Sequence, residues 1–328
     1  MMRITMLAAI ALTGACDWEF PEAPGGNGFD DGSSAFLRGD AEGFNQESTL
    51  WTDTRGTAVD EYGITGGAAM NGTTCQVYVD SGSIGNDVNP NWNEEEEMTD
   101  ALPDVDGEGV IGLTITPSDI NLIQYDDWDS GVVATYDIAS LDARFTDDGI
   151  ATIDNDGGGC EVSWVAPSGD INGQAIAAGA CIGGFDVSGA GVALVNTSAG
   201  LNRVTPAGSE SVADSQNLVS WDAGLDLFYT ANRGENIITA MTDSGMVQWT
   251  ATVGGGVVDL EAAGARGIVF VSVEYADLTG GLMLLDGLTG DVVNQAQTIS
   301  AARDLSLSGD GHVVAAAVAG QVHYLSVE

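Results

Sequence analysis

Apolar and polar positions alternate over residues 301–328 in a pattern that predicts three short strands in succession. Residues 304–308 read DLSLS and a Gly-Asp-Gly turn follows. Residues 312–319 then read HVVAAAVA and, after Gly320, the chain ends QVHYLSVE. Alternation or a short apolar run, punctuated by glycine, is the signature of consecutive antiparallel strands. The same sentence recurs upstream from Gly112, Ala143, Gly184, Leu218 and Val257, so that with Ala301 six units are clear. A seventh, degenerate unit spans residues 55–83, where NGTTCQVYVDSGS around Cys75 echoes DGGGCEVSWVAPSG around Cys160.

Repeats of this length, each a small sheet that cannot bury both faces alone, predict an all-β fold: a β-propeller. Seven blades are expected, with six or eight left open, because only Leu141 and Asp142 separate Ser140 from the unit at Ala143. The closing unit has three strands. A ring therefore needs a strand borrowed from the N-terminal side, expected within residues 48–55, and that loan removes an open sheet edge.

Composition supports this picture and narrows the partners. Gly 46 suits many tight turns, and 44% hydrophobic content suffices for a core. The charge is −41, from 49 acids against eight arginines and no lysine. Such a surface repels nucleic acid and anionic membrane, and leaves cations, basic proteins, or water and salt as partners. Solubility in a salty habitat and divalent-cation binding both account for the acidity.

The first residues change the expected location. Arg3 precedes a nine-residue run, residues 4–12, that is apolar except for Thr5 and too short to span a bilayer as a helix. Thr13, Gly14 and Ala15 then lead into Cys16. Small residues directly before a single cysteine resemble the bacterial lipobox, although leucine stands four rather than three positions before it. The resemblance implies removal of residues 1–15, a lipid on Cys16 and a cell-envelope location, with a membrane and another envelope protein as partners. Residues 16–50, rich in Gly, Asp, Glu, Asn and Ser, read as a flexible acidic tether, and residues 51–328 as the propeller domain.

Two units carry a closer likeness. ITAMTDSGMVQW (residues 238–249) and LMLLDGLTGDVV (282–293) resemble the quinoprotein-type propeller repeat, in which a strand ends near an Asp, a Ser-Gly or Thr-Gly turn follows, and the next strand often bears Trp. The closing unit and the Gly112 unit look equally like WD-repeat or surface-layer-type propellers. Quinoprotein relatives imply dehydrogenases. This chain, however, has neither the adjacent cysteines of many of them nor a carboxylate matching their catalytic aspartate. By analogy alone, the resemblance also implies likeness to the propeller lipoprotein of the outer-membrane barrel-assembly machinery.

Candidate chemistry is sparse, and no catalytic or cofactor-binding residue emerges. His312 and His323 lie on successive strands and are two ligands at most, so they are expected to be ordinary strand or turn residues. Asp104, Asp106 and Glu108 stand at alternate positions among glycines, a pattern that can wrap calcium, but Ile115 occupies the place of the distal glutamate. Glu94 to Glu97 form an acidic run just upstream, in a segment that fits no strand. With Cys16 lipidated, three cysteines remain. Cys160 and Cys181, one strand pair apart, are the expected disulfide, with Cys75–Cys160 the alternative. The sequence thus predicts a non-catalytic envelope lipoprotein whose propeller serves as a binding or scaffold module. Three other readings stay open: a propeller hydrolase or lyase, a quinone-dependent oxidoreductase, or a surface adhesion or carbohydrate-binding protein. The last would need Trp92, Trp128, Trp164 and Trp221 to sit together.

Overall fold

The computed structural model describes residues 29–30, 37–38, 44–51, 53–59, 65–71, 74–80, 86–93, 97–103, 109–115, 118–126, 129–263, 266–307, 313–318 and 321–327. Among these residues every regular element is a strand, and no helix is long and apolar enough to cross a membrane. The strands form seven antiparallel sheets. The first six are contiguous in sequence: residues 53–93, 97–136, 142–178, 181–213, 218–252 and 256–298. The seventh combines Asp304–Leu307, Val313–Val318 and Gln321–Val327 with Phe44–Trp51 from the other end of the chain.

The first strand of each sheet lies against the first strand of the next. Asp304–Leu307 returns to Asp53–Val59, so the circuit of seven closes. That arrangement is a β-propeller. Because each sheet has four meandering strands, every connection to the next sheet falls at the same end of the ring, here termed the connector end.

Burial explains why the sheets stack. Leu227–Ala231, with sequence LFYTA, is buried at every position, and its side chains alternate in direction as strand geometry dictates. Leu227, Tyr229 and Ala231 pack with Val257, Leu260 and Val271 of the sixth sheet, while Phe228 packs with Leu194 and Leu201 of the fourth. The third and fourth sheets share a cluster built on Val162, Trp164, Phe185 and Val195. The sixth and seventh share Phe270, Leu284, Leu305 and Leu325. Each fully buried aromatic or aliphatic side chain contributes ~1.5–3 kcal/mol, so the junctions between sheets carry the core.

Directed hydrogen bonds register neighbouring inner strands. Asp186 accepts from the Trp221 amide at 2.6 Å, the Ser220 hydroxyl oxygen accepts from the Ala262 amide at 3.0 Å, and Asp259 accepts from the Leu305 amide at 2.8 Å.

Two expectations shift. The borrowed strand is Phe44–Trp51, which starts before residue 48 and pairs with Gln321–Val327, placing Leu50 opposite Val322 and Thr49 opposite His323. Its first residues belong to the stretch whose composition reads as tether. Phe29–Asp30 and Leu37–Arg38, from that same stretch, add to the edges of the seventh and sixth sheets. The unit beginning near Gly112 also gains its missing strand upstream. Glu97–Pro103 is the innermost strand of that sheet, and its sequence EMTDALP lacks the alternation that would reveal it.

Candidate functional site

Cys160 and Cys181 form a disulfide with Cα atoms 4.8 Å apart and both side chains buried. It joins the third sheet to the start of the fourth at the connector end. The Asn155 side chain supports it by accepting from the Cys181 amide at 2.8 Å. Closing a loop of this length removes unfolded-state entropy worth ~3 kcal/mol. Cys16, Asp104, Asp106, Glu108, His312 and Trp128 lie outside the described residues.

His323 is fully buried, opposite Ala316 on one side and Thr49 on the other. Burial depresses its pKa to about 4, because an imidazolium there would lose its hydration. Among the described residues no three His, Cys, Asp or Glu side chains converge as a metal site. Trp164 and Trp221 sit in different junctions, Trp164 with Phe185 and Trp221 stacked at a tilt on Phe228 with centroids 4.5 Å apart. They form no shared aromatic platform.

At the end of the ring opposite the connectors, the fifth and sixth sheets are tied through one carbonyl. The Gly287 oxygen accepts from Trp249 Nε1 at 2.8 Å and from the Tyr229 hydroxyl at 3.2 Å, and the two rings lie 5.8 Å apart. Tyr229 also reaches the Asp222 carboxylate at 3.3 Å, whose other oxygen accepts from the Gly224 and Leu225 amides. Burial pushes the Tyr229 hydroxyl far above its usual range, and the Asp222 charge adds to that shift; burial also raises Asp222 itself. A Cβ on Gly287 would meet the Tyr229 oxygen at 2.5 Å and the Gly267 carbonyl at 2.8 Å, so only glycine allows this approach. Trp249 and Gly287 come from the segments 238–249 and 282–293, and here they serve a structural tie.

The connector end of the same three sheets, fifth to seventh, is open. Four segments of chain surround a cleft of about 800 Å³, lined by Arg233, Gly255, Glu274, Tyr275, Leu278 and Arg303 among others. Arg233 is 58% exposed at its side chain and reaches Asp259 only at 4.0 Å. Arg303 is exposed and makes no ion pair among the described residues. Asp277, at the rim, is held below the usual carboxylate range by hydrogen bonds from the Thr279 hydroxyl and amide, with Arg38 adding its charge. The cleft went unnoticed in the sequence because its residues are scattered over some seventy positions.

No protein family's sequence profile matches the chain, and no characterised protein matches it in sequence. Solved structures do. A chain of the mitotic checkpoint complex crystal structure superposes with a TM-score of 0.63 at 13% identity, covering 89% of this chain and 99% of that one. The C-terminal WD40 domain of Sif2 gives 0.57 at 10% identity, covering 88% and 100%. Raptor from Chaetomium thermophilum gives 0.67 at 10% identity, covering 89% of this chain and 30% of that one. The chain therefore has the WD40-type propeller fold, and at these identities the likeness is one of fold.

Proposed function

We propose that the chain is a non-catalytic binding module of the cell envelope, tethered through a lipid on Cys16 and presenting its propeller to another envelope protein. The observation that carries this reading is the combination of a closed ring, its third to seventh sheets tied junction by junction, with an open, loop-built cleft at one end. A rigid platform with a concave, partly apolar surface suits recognition, because little ordering entropy is lost on binding. WD40-type propellers are commonly interaction scaffolds, which supports the same reading. Strong negative charge elsewhere favours a partner of opposite overall sign and disfavours nucleic acid.

The test is chemical crosslinking in the native envelope followed by mapping of the crosslinked residues. The reading predicts one recurrent protein partner attached around the connector end. Crosslinks scattered over the whole surface, or none to any protein, would overturn it. The anchor is tested separately. Labelled fatty acid is expected in the wild-type protein and absent from Cys16→Ala, and equal labelling of both would refute lipidation at that residue.

A further inference from the structure

Four turns among the described residues share one hydrogen-bond pattern. In each, the first amide donates to the fifth carbonyl and the fourth amide donates back to the first carbonyl, at residues 166–170, 188–192, 242–246 and 275–279. The fourth position requires positive φ. Gly169, Gly191 and Gly245 occupy it with φ of 87°, 75° and 79°. In the fourth turn the position is held by Leu278, at φ 65° and 71% exposed. A γ-branched residue in the left-handed region is strained, and an exposed one recovers little by burial. Strain held in place where glycine would serve marks a side chain kept for something it touches outside the fold.

Leu278 lies on the cleft. The same lining holds Arg233 and Arg303 against Glu274 as its one carboxylate, whereas the chain as a whole carries about six acids per arginine. Tyr275, half-buried, and Ala276, exposed, add apolar surface to the same lining. A guanidinium is suited to a carboxylate because its planar fork can donate two hydrogen bonds at once.

We propose that this cleft is the docking site for a peptide segment of the partner that presents a carboxylate to Arg233 and Arg303 and an apolar side chain to Leu278 and Tyr275. The inference rests on the binding-module reading above and names its contact surface. Because the surrounding surface is strongly acidic, the segment carries that carboxylate within a neutral or basic stretch; a densely acidic peptide is repelled.

The experiment uses the full chain and an array of short synthetic peptides. Each pairs one Asp, Glu or free C-terminal carboxylate with a neighbouring Leu or Phe on a Ser/Arg background, beside its Asn or Gln counterpart. Carboxylate peptides are expected to bind, with amide counterparts weaker by ~10-fold or more, the scale of a lost charge-assisted pair. The double variant Arg233→Gln/Arg303→Gln is expected to abolish that preference. Leu278→Gly is expected to weaken binding ~10-fold while its melting temperature stays equal to or above wild type, a combination that general destabilisation cannot produce. Equal binding by wild type and both variants would overturn the cleft and leave the module reading intact. Citrate shifting the melting temperature through the two arginines, with no peptide binding, would make this a small-anion site and overturn peptide docking. No binding of any probe would overturn peptide docking at the cleft, while the crosslinking above decides the module reading independently.

Discussion

The two seams that hold this ring are built on opposite logic. Between the third and fourth sheets, neighbours in sequence are bolted by Cys160–Cys181. In the seventh sheet, Phe44–Trp51 and Gln321–Val327 come from opposite ends of the chain and are joined by strand pairing around a buried His323. The bolt sits where chain continuity already keeps the sheets close, so it shortens the unfolded chain without guarding closure. Closure itself depends on an uncharged core. The first seam answers to redox conditions, and the second to pH and to an intact N-terminal segment.

Removing residues 1–51 attacks the weaker seam outright and has the largest expected effect. The last sheet loses a strand, its edge opens, and the melting temperature should fall by about 10 °C or more. A truncated protein melting like the full chain would mean that ring closure contributes nothing.

Acid should strain the same seam next. The folded pKa of His323 is about 4, below its unfolded value near 6.5, so the unfolded state takes up more protons between them. Stability from the neutral imidazole is complete above pH ~6.5 and is lost as pH falls toward 4, by up to ~3 kcal/mol. Denaturant titrations across that window should show the loss, and His323→Gln should flatten it. An unchanged slope in that variant would assign acid sensitivity to other groups.

Reduction tests the bolt. Cys160→Ala with Cys181→Ala should cost ~3 kcal/mol at any pH, with the acid window of His323 intact. A steeper acid loss in the double variant would show that the two seams are coupled. The smallest effect is expected at the tie between the fifth and sixth sheets. Tyr229→Phe removes hydrogen bonds to Gly287 and Asp222 and should cost ~1–2 kcal/mol, since the Trp249 bond to Gly287 persists.

Much of this ring was written in the hydrophobic pattern. DLFYTAN and GIVFVSVE are buried on both faces and read as apolar runs between glycines, so their strands were visible. The disulfide was visible too, because two cysteines one strand pair apart fall at adjacent strand ends. Glu97–Pro103 was not visible, since EMTDALP mixes acidic residues, Thr and Pro with apolar ones and carries no alternation. The cleft was hidden for a different reason: Arg233, Tyr275, Leu278 and Arg303 meet only once the fifth, sixth and seventh sheets have stacked. One trace was present in the chain. YADLT carries leucine where APSGD, SGAGV and TDSGM carry glycine, but the equivalence of those turns emerges from their hydrogen bonds and not from their letters.

The tie at one end and the cleft at the other belong together. With the fifth and sixth sheets fixed through Gly287, their connector-end loops are free to keep glycines, arginines and a strained leucine in place of a second bolt. Amide hydrogen exchange of the full chain, with and without the tightest carboxylate peptide, tests this most directly. The account predicts added protection confined to residues 232–236, 253–258, 275–279 and 299–303. Protection at the opposite end of the ring, or along its outer strands, would contradict it.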